Sequence, residues 1–218
     1  MEITYLGHSC FRIKGKEVTL VTDPYCESVG YRWVRPTANM VTVSHSHEGH
    51  SNSTGVDGNP RVISRPGEYE VGGVFIMGVP NFHDSEQGKT RGKNISYVIE
   101  MEEMRLCHLG DLGHLPSARQ AEELGNLDIL IAPVGGQSTI DAKGAADIVR
   151  HLNPKVVIPM HYQSSVVTWL EPLDKFLTEM GLREVIPQPK FSVTKSNLNV
   201  GTVETKVIVL DYHLSPVT

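Results

Sequence analysis

Met40-Val-Thr-Val-Ser-His-Ser-His-Glu-Gly-His50 decides more about this chain than any other stretch. Met40–Val43 is a short apolar run of strand length, and it passes without a spacer into three histidines within six residues. In an extended segment the side chains at i and i+2 point to the same side, so His45 and His47 can converge on one ion. His50, three residues on, faces elsewhere or begins a helical turn, where it can serve a second ion or the far side of the first. Packing explains such a cluster poorly, because imidazoles are rarely all buried and satisfied together. The competing account is a solvated, histidine-rich loop.

Further donors stand where other strand readings stop. His83 follows an apolar run and precedes Asp84. Asp111 lies in Leu109-Gly-Asp-Leu-Gly113, where glycines on both sides leave a carboxylate exposed at a strand end. His161 ends the run Val156-Val-Ile-Pro-Met160. Each alone reads as a turn residue. Placed together at the ends of successive strands, they are what a metal site mounted on a rigid sheet needs.

The first half of the chain reads as short strands: Glu2–Leu6, Cys10–Ile13, Val18–Thr22, Met40–Val43, Arg61–Ser64, Glu68–Val71 and Val74–Val79, then a hairpin of Asn94–Glu100 and Met104–Leu109. The second half alternates. Helices are predicted over Ser117–Leu124, Asp141–Leu152 and Leu170–Met180, and strands over Leu127–Ala132, Lys155–Pro159, Val185–Ile186 and Val207–Leu210. Strands first, then alternating β and α, predict an α+β chain of sheets with helices packed outside, read as one domain over 1–218.

Composition bounds the function. A formal charge of −5 gives no general attraction to nucleic acid or anionic lipid, and Lys89-Thr-Arg-Gly-Lys93 reads as a solvated loop. Cys10, Cys26 and Cys107 form no CxxC pair, which fits a reducing compartment, with Cys10 and Cys107 as buried thiols. No apolar run approaches membrane-spanning length. The expectation is a soluble, cytoplasmic protein acting on a small molecule, with its oligomeric state open.

The order Asp23, His45-x-His47-x-x-His50, His83, Asp111, His161 resembles the five-motif pattern of metallo-β-lactamase-fold hydrolases. Ile3-Thr-Tyr-Leu-Gly-His-Ser-Cys-Phe11, Gly67-Glu-Tyr-Glu-Val71, Ile140-Asp-Ala-Lys143 and Leu152-Asn-Pro-Lys-Val-Val-Ile-Pro-Met-His-Tyr162 are similar to the branch containing ascorbate-6-phosphate-lactonase-like proteins. The resemblance implies a four-layer αβ/βα sandwich with the site at one edge between two sheets. It implies a first metal on His45, His47 and His83, Asp111 as bridge, and a second metal on His50 and His161. Asp23 would support the site by orienting a ligand imidazole. One or two divalent ions are implied, zinc first, although manganese, iron and nickel accept the same donors. Asp111 would position an activated water and take its proton, and His114 would contact substrate or donate a proton.

The family pattern is His-x-His-x-Asp-His, and Gly49 stands where its aspartate belongs. The second site is therefore expected to be weakened or empty, and Gly49→Asp to restore it. Glu48 points off the same-face pair, while Asp84 and Glu86 are candidate replacement donors. His8 lies in the turn Leu6-Gly-His-Ser9, which the resemblance puts near the site mouth; His108 and His151 read as packing or surface residues, and His213 is near the tail. The predicted activity is metal-dependent hydrolysis of a small ester, lactone, amide or phosphodiester. The competing classes are a nuclease, an iron-dependent oxidoreductase and a degenerate, non-catalytic binding protein.

Overall fold

The computed structural model describes residues 1–198 and 204–211, so His213 lies outside the described residues. Strands β1 (Glu2–Gly7), β2 (Cys10–Lys14), β3 (Thr19–Thr22), β4 (Met40–Thr42) and β5 (Arg61–Ile63) form the first sheet, with the short β12 (Phe191–Ser192) on its edge beside β1. The second sheet holds β6 (Gly67–Val71), β7 (Val74–Phe82), β8 (Lys93–Met101), β9 (Met104–His108), β10 (Ile129–Pro133), β11 (Val156–Met160) and β13 (Lys206–Val207), in the order β13-β11-β10-β9-β8-β7-β6.

Period-two alternation sorts the strand side chains into layers. Ile3, Tyr5, Phe11, Ile13, Leu20 and Met40 of the first sheet meet Ile76, Tyr97, Ile99, Ile129, Ile131 and Ile158 of the second in the central core. The alternate residues Cys107, Leu130, Ala132 and Val157 face outward onto the helices α1 (Ala118–Leu124), α2 (Ala142–Leu152) and α3 (Leu173–Glu179). A short α4 (Lys195–Leu198) follows β12. The outer face of the first sheet carries Cys10, Val21 and Val41 and is covered by Tyr25, Tyr31 and Val56. On that side the helical layer contracts to single 3₁₀ turns at Glu27–Val29 and Ser53–Gly55. No helix among the described residues is long and apolar enough to cross a membrane.

The helix starts follow their local chemistry. Ser117 and Gln120 form a reciprocal capping box on α1, and the Asp141 side chain accepts from the Gly144 N–H on α2. Helix α3 starts at Leu173 rather than Leu170, because Pro172 stands at its N-cap. Two expectations are corrected. Val185–Ile186 is not a strand: Ile186 is 83% exposed, and the pairing with β1 is made by Phe191–Ser192. Strand β7 runs to Phe82, past Pro80, because β6 reaches only as far as Gly78 and leaves Pro80 on an edge that needs no N–H donor.

Strand direction places the functional end of the molecule. In the first sheet β2 is antiparallel to both β1 and β3, and β4 is parallel to β3, so β1, β3 and β4 point the same way. In the second, β8 is antiparallel to both β7 and β9, while β10 is parallel to β9 and β11, so β7, β9 and β11 also share a direction. Where these six strands end, the chain presents His8, Asp23, His45, His83, Asp111 and His161. The His161 N–H donates to the His8 carbonyl at 2.9 Å and the Ile95 N–H to the Ser44 carbonyl at 3.0 Å, tying the two sheets together at that end. Deeper in, the buried Tyr97 hydroxyl of β8 lies 3.0 Å from the Val43 carbonyl and 3.1 Å from that of Ile63. Because the Val43 carbonyl depends on this hydroxyl, Tyr97→Phe is expected to lower the unfolding free energy by about 1–3 kcal/mol. A urea titration checks this, and an unchanged midpoint would show that the hydroxyl contributes nothing to joining the sheets.

Candidate metal centre

The geometry centres on Asp111. Its Oδ2 lies 3.2 Å from His50 Nε2, 3.3 Å from His83 Nε2, 3.4 Å from His161 Nε2 and 4.0 Å from His45 Nε2. Its Oδ1 accepts from the Ser9 hydroxyl at 3.5 Å, and its N–H donates to Asn94 Oδ1 at 3.0 Å. Gly110 delivers the chain into this place. Its φ is +60°, and a Cβ there would lie 2.6 Å from Ser44 Cβ, so both backbone and space require glycine.

Around this carboxylate stand two groups of imidazoles. His45, His47 and His83 each offer a nitrogen within 4.8 Å of the others, and so do His8, His50 and His161. All six residues expected to meet at a metal site are thus brought to one place, and His8 joins them. Among the described residues, His45 Nε2, His83 Nδ1, His161 Nδ1 and His8 Nδ1 are buried without a hydrogen-bond partner. The orphaned His45 Nε2, together with the Nε2 atoms of His50, His83 and His161 turned on the same buried carboxylate, fits a cation.

Asp23 sets the tautomers. Its Oδ1 accepts from the Ser44 N–H at 2.8 Å, and its Oδ2 accepts from the Ser44 hydroxyl at 2.5 Å and faces His50 Nδ1 at 2.9 Å. Since Ser44 gives its proton to Asp23, its oxygen is left to accept from His45 Nδ1, 2.9 Å away. Both imidazoles therefore carry hydrogen on Nδ1 and turn Nε2 towards Asp111. Asp23, His45 and His50 also lie close enough to form a donor group of their own. The Asp23 oxygens are already engaged, so its role here is to orient. Asp23, His8 and His161 hold left-handed backbone at φ 40°, 56° and 52°. Such strain is characteristic of functional sites.

The electrostatics match this wiring. Burial pushes His45 down to about 3 and His161 to about 4, so both stay neutral. Burial opposes the charged form of His50 too, but Asp111 and Asp23 on its two sides outweigh it and raise it to about 10. Burial also opposes ionisation of Asp111, yet His161 and His50 hold its carboxyl well below the usual range. His50 is thus protonated between the ionised carboxylates of Asp23 and Asp111, while His45 and His161 beside it are neutral.

The sequence reads His108 as a packing or surface residue; it is buried, and it does more than pack. Its Nε2 donates to the Ser9 carbonyl at 2.9 Å, and its Nδ1 accepts from the Gly110 N–H at 3.2 Å. It thereby braces the neighbours of both His8 and Asp111. The structure does not bring His114 to the cluster: its Nδ1 bonds the Leu115 carbonyl, its Nε2 accepts from the Phe82 N–H, and it lines a separate cleft with Phe82 and Ser117. Asp84 does not serve as a donor either. Its carboxylate accepts from the N–H groups of Glu86, Gly88, Thr90 and Arg91, which holds its pKa down at about 2. That loop delivers Arg91 to the cleft, and Arg91 in turn donates to the Gln137 carbonyl at 3.2 Å.

Residues 2–161 match the beta-lactamase superfamily domain. The chain belongs to that family. It is 30% identical over 192 residues to a UPF0173 metal-dependent hydrolase of Thermococcus onnurineus, covering 75% of this chain and 85% of that one. A Thermotoga maritima protein assigned to the Zn-dependent hydrolases of the metallo-beta-lactamase superfamily is 40% identical, with a TM-score of 0.79 and 96% and 97% of the two chains covered. CmlA, a diiron beta-hydroxylase of Streptomyces venezuelae, shares the fold alone: 12% identity, a TM-score of 0.59, 88% of this chain and 54% of that one. The protein is a metal-dependent hydrolase of the metallo-β-lactamase superfamily.

Asp23→Asn keeps the shape of the side chain but removes an acceptor needed by Ser44 and His50. A loss of roughly 10–100-fold in metal affinity is expected, measured by competition with a chelating dye. Unchanged affinity would show that the imidazoles are oriented without it.

Proposed function

We propose that His45, His47 and His83 hold one divalent cation, that Asp111 is shared, and that His50 and His161 serve a second. The observation that carries this reading is the convergence of two histidine triads on one buried carboxylate. The donor set suits zinc first, with manganese, iron or nickel accepting the same ligands. Such an ion supplies Lewis acidity, polarising a carbonyl or phosphoryl oxygen and bringing the pKa of water towards neutrality. Asp111 orients the attacking water and takes its proton, while Asp23, through Ser44 and His50, keeps the ligand tautomers correct.

The substrate is a small ester, lactone, amide or phosphodiester. It enters a cleft of about 520 Å³ that opens onto His47, His50, His161 and Asp111. Two features of the rim bear on substrate choice. Arg91 is the one lysine or arginine lining the cleft among the described residues, held by the loop that Asp84 organises. Val166 and Trp169 line the same cleft, the latter 55% exposed and edge-on to His161 at 6.1 Å between ring centroids. A molecule with one anionic group and one apolar portion matches this pairing. A single arginine and a net charge of −5 argue for a small anion over nucleic acid. The free thiols of Cys10, Cys26 and Cys107 support a cytoplasmic setting.

Protein purified without chelator is expected to contain metal and to hydrolyse members of an ester and phosphodiester panel. Chelation should abolish turnover, and the added ion should restore it. Metal-free protein with full turnover would refute the reading. On anionic substrates Arg91→Ala should raise KM by about tenfold, the worth of a charged hydrogen bond, with a smaller change in kcat. An unchanged KM would remove Arg91 from substrate binding.

A further inference from the structure

Gly49 takes the place of the family aspartate, and the structure shows what fills the space. A Cβ built on Gly49 would lie 2.7 Å from His8 Nε2 and 3.1 Å from His8 Cδ2, closer than side-chain carbons pack. The His8 imidazole therefore occupies the room into which a side chain at position 49 would grow. It is held there firmly. His8 is 6% exposed, and its carbonyl accepts from both the Tyr5 hydroxyl at 2.8 Å and the His161 N–H at 2.9 Å. Its Nδ1 is buried with no hydrogen-bond partner among the described residues. Its ring centroid is 5.0 Å from that of His50 and 4.5 Å from that of His161, and the three offer nitrogens within 4.8 Å of one another. Asp111 Oδ2 lies 3.2 Å from His50 Nε2 and 3.4 Å from His161 Nε2.

We infer that His8 replaces the missing aspartate as a ligand, so that the second cation site consists of His8, His50, His161 and Asp111. The inference rests on the metal-centre reading above, and it reverses the expectation that Gly49 leaves this site weakened or empty. It also makes Gly49 a requirement for ligation by His8, since any larger residue would displace the imidazole. Exchanging an anionic oxygen for a neutral nitrogen leaves the Asp111 carboxylate as the only anionic donor of the second site. A nitrogen-rich site of this kind favours zinc over magnesium or calcium, which prefer oxygen.

The test is equilibrium dialysis against zinc, with bound metal counted by mass spectrometry and folding followed by thermal melt. Glycine accepts the left-handed backbone at position 8, so His8→Gly removes the imidazole without adding strain. The natural protein should bind two ions and His8→Gly one. The double variant His8→Gly, Gly49→Asp should return to two, because a carboxylate then has the room. Gly49→Asp alone should not exceed two and should melt lower, since it collides with His8. Two ions retained by His8→Gly, or one ion in the natural protein, would overturn the assignment of His8 and leave the His45, His47 and His83 site standing. No bound zinc in the natural protein would overturn the metal-centre reading itself. If His8→Gly does not fold, ¹¹³Cd-loaded natural protein with ¹⁵N-labelled histidine decides. One-bond coupling of cadmium to the His8 imidazole is expected, and its absence, with coupling present at His50 and His161, would refute the ligation.

Discussion

A buried carboxylate is costly unless its surroundings answer its charge, and Asp111 is answered from both sheets. His45 and His50 reach it from the end of β4, His83 from β7, and His161 from β11. Asn94 and Ser9 engage the rest of the residue. This arrangement requires six strands of two sheets to end at one edge and the chain at Gly110 to pass where no side chain fits. The sandwich and its central core hold that edge in register. In the same region Asp23, working through Ser44 and His50, decides which nitrogen of two histidines is available.

Much of this was legible in the sequence, because the donors follow strand ends and strand ends are marked by short apolar runs. His45 and His47 share a side through local geometry alone. The convergence of His83, Asp111 and His161 depended on the family resemblance, since the chain separation between them hides any contact. What remained hidden was tertiary. His8 reads as a turn residue, and nothing near it shows that the β1–β2 turn leans over Gly49, about forty positions on. His114 misled through nearness: it stands three residues after Asp111, but Gly113 packs against the His83–Asp84 backbone and the chain then leaves the cleft. Val185–Ile186 looks like a strand because it is apolar, yet among the described residues no strand pairs with it.

The fold leaves the reaction open in a useful sense. A diiron beta-hydroxylase shares it at 12% identity, so the sheets do not dictate the chemistry. This chain carries a cluster rich in imidazole and poor in carboxylate, beside a cleft lined by Arg91 and Trp169. On the function proposed above, the first bears on metal choice and the second on substrate. Both arise from loops carried on the same rigid edge, which lets them vary without disturbing the core.

The claim on which the rest stands is that metal binds at Asp111, between the two groups of histidines. Anomalous diffraction at the zinc edge, on crystals of zinc-loaded protein, tests it directly. The account predicts a peak within about 2.0–2.2 Å of both an Asp111 oxygen and the imidazoles of His45, His47 and His83. A peak bound instead by Asp23, or no ordered zinc within coordinating distance of Asp111, would contradict it.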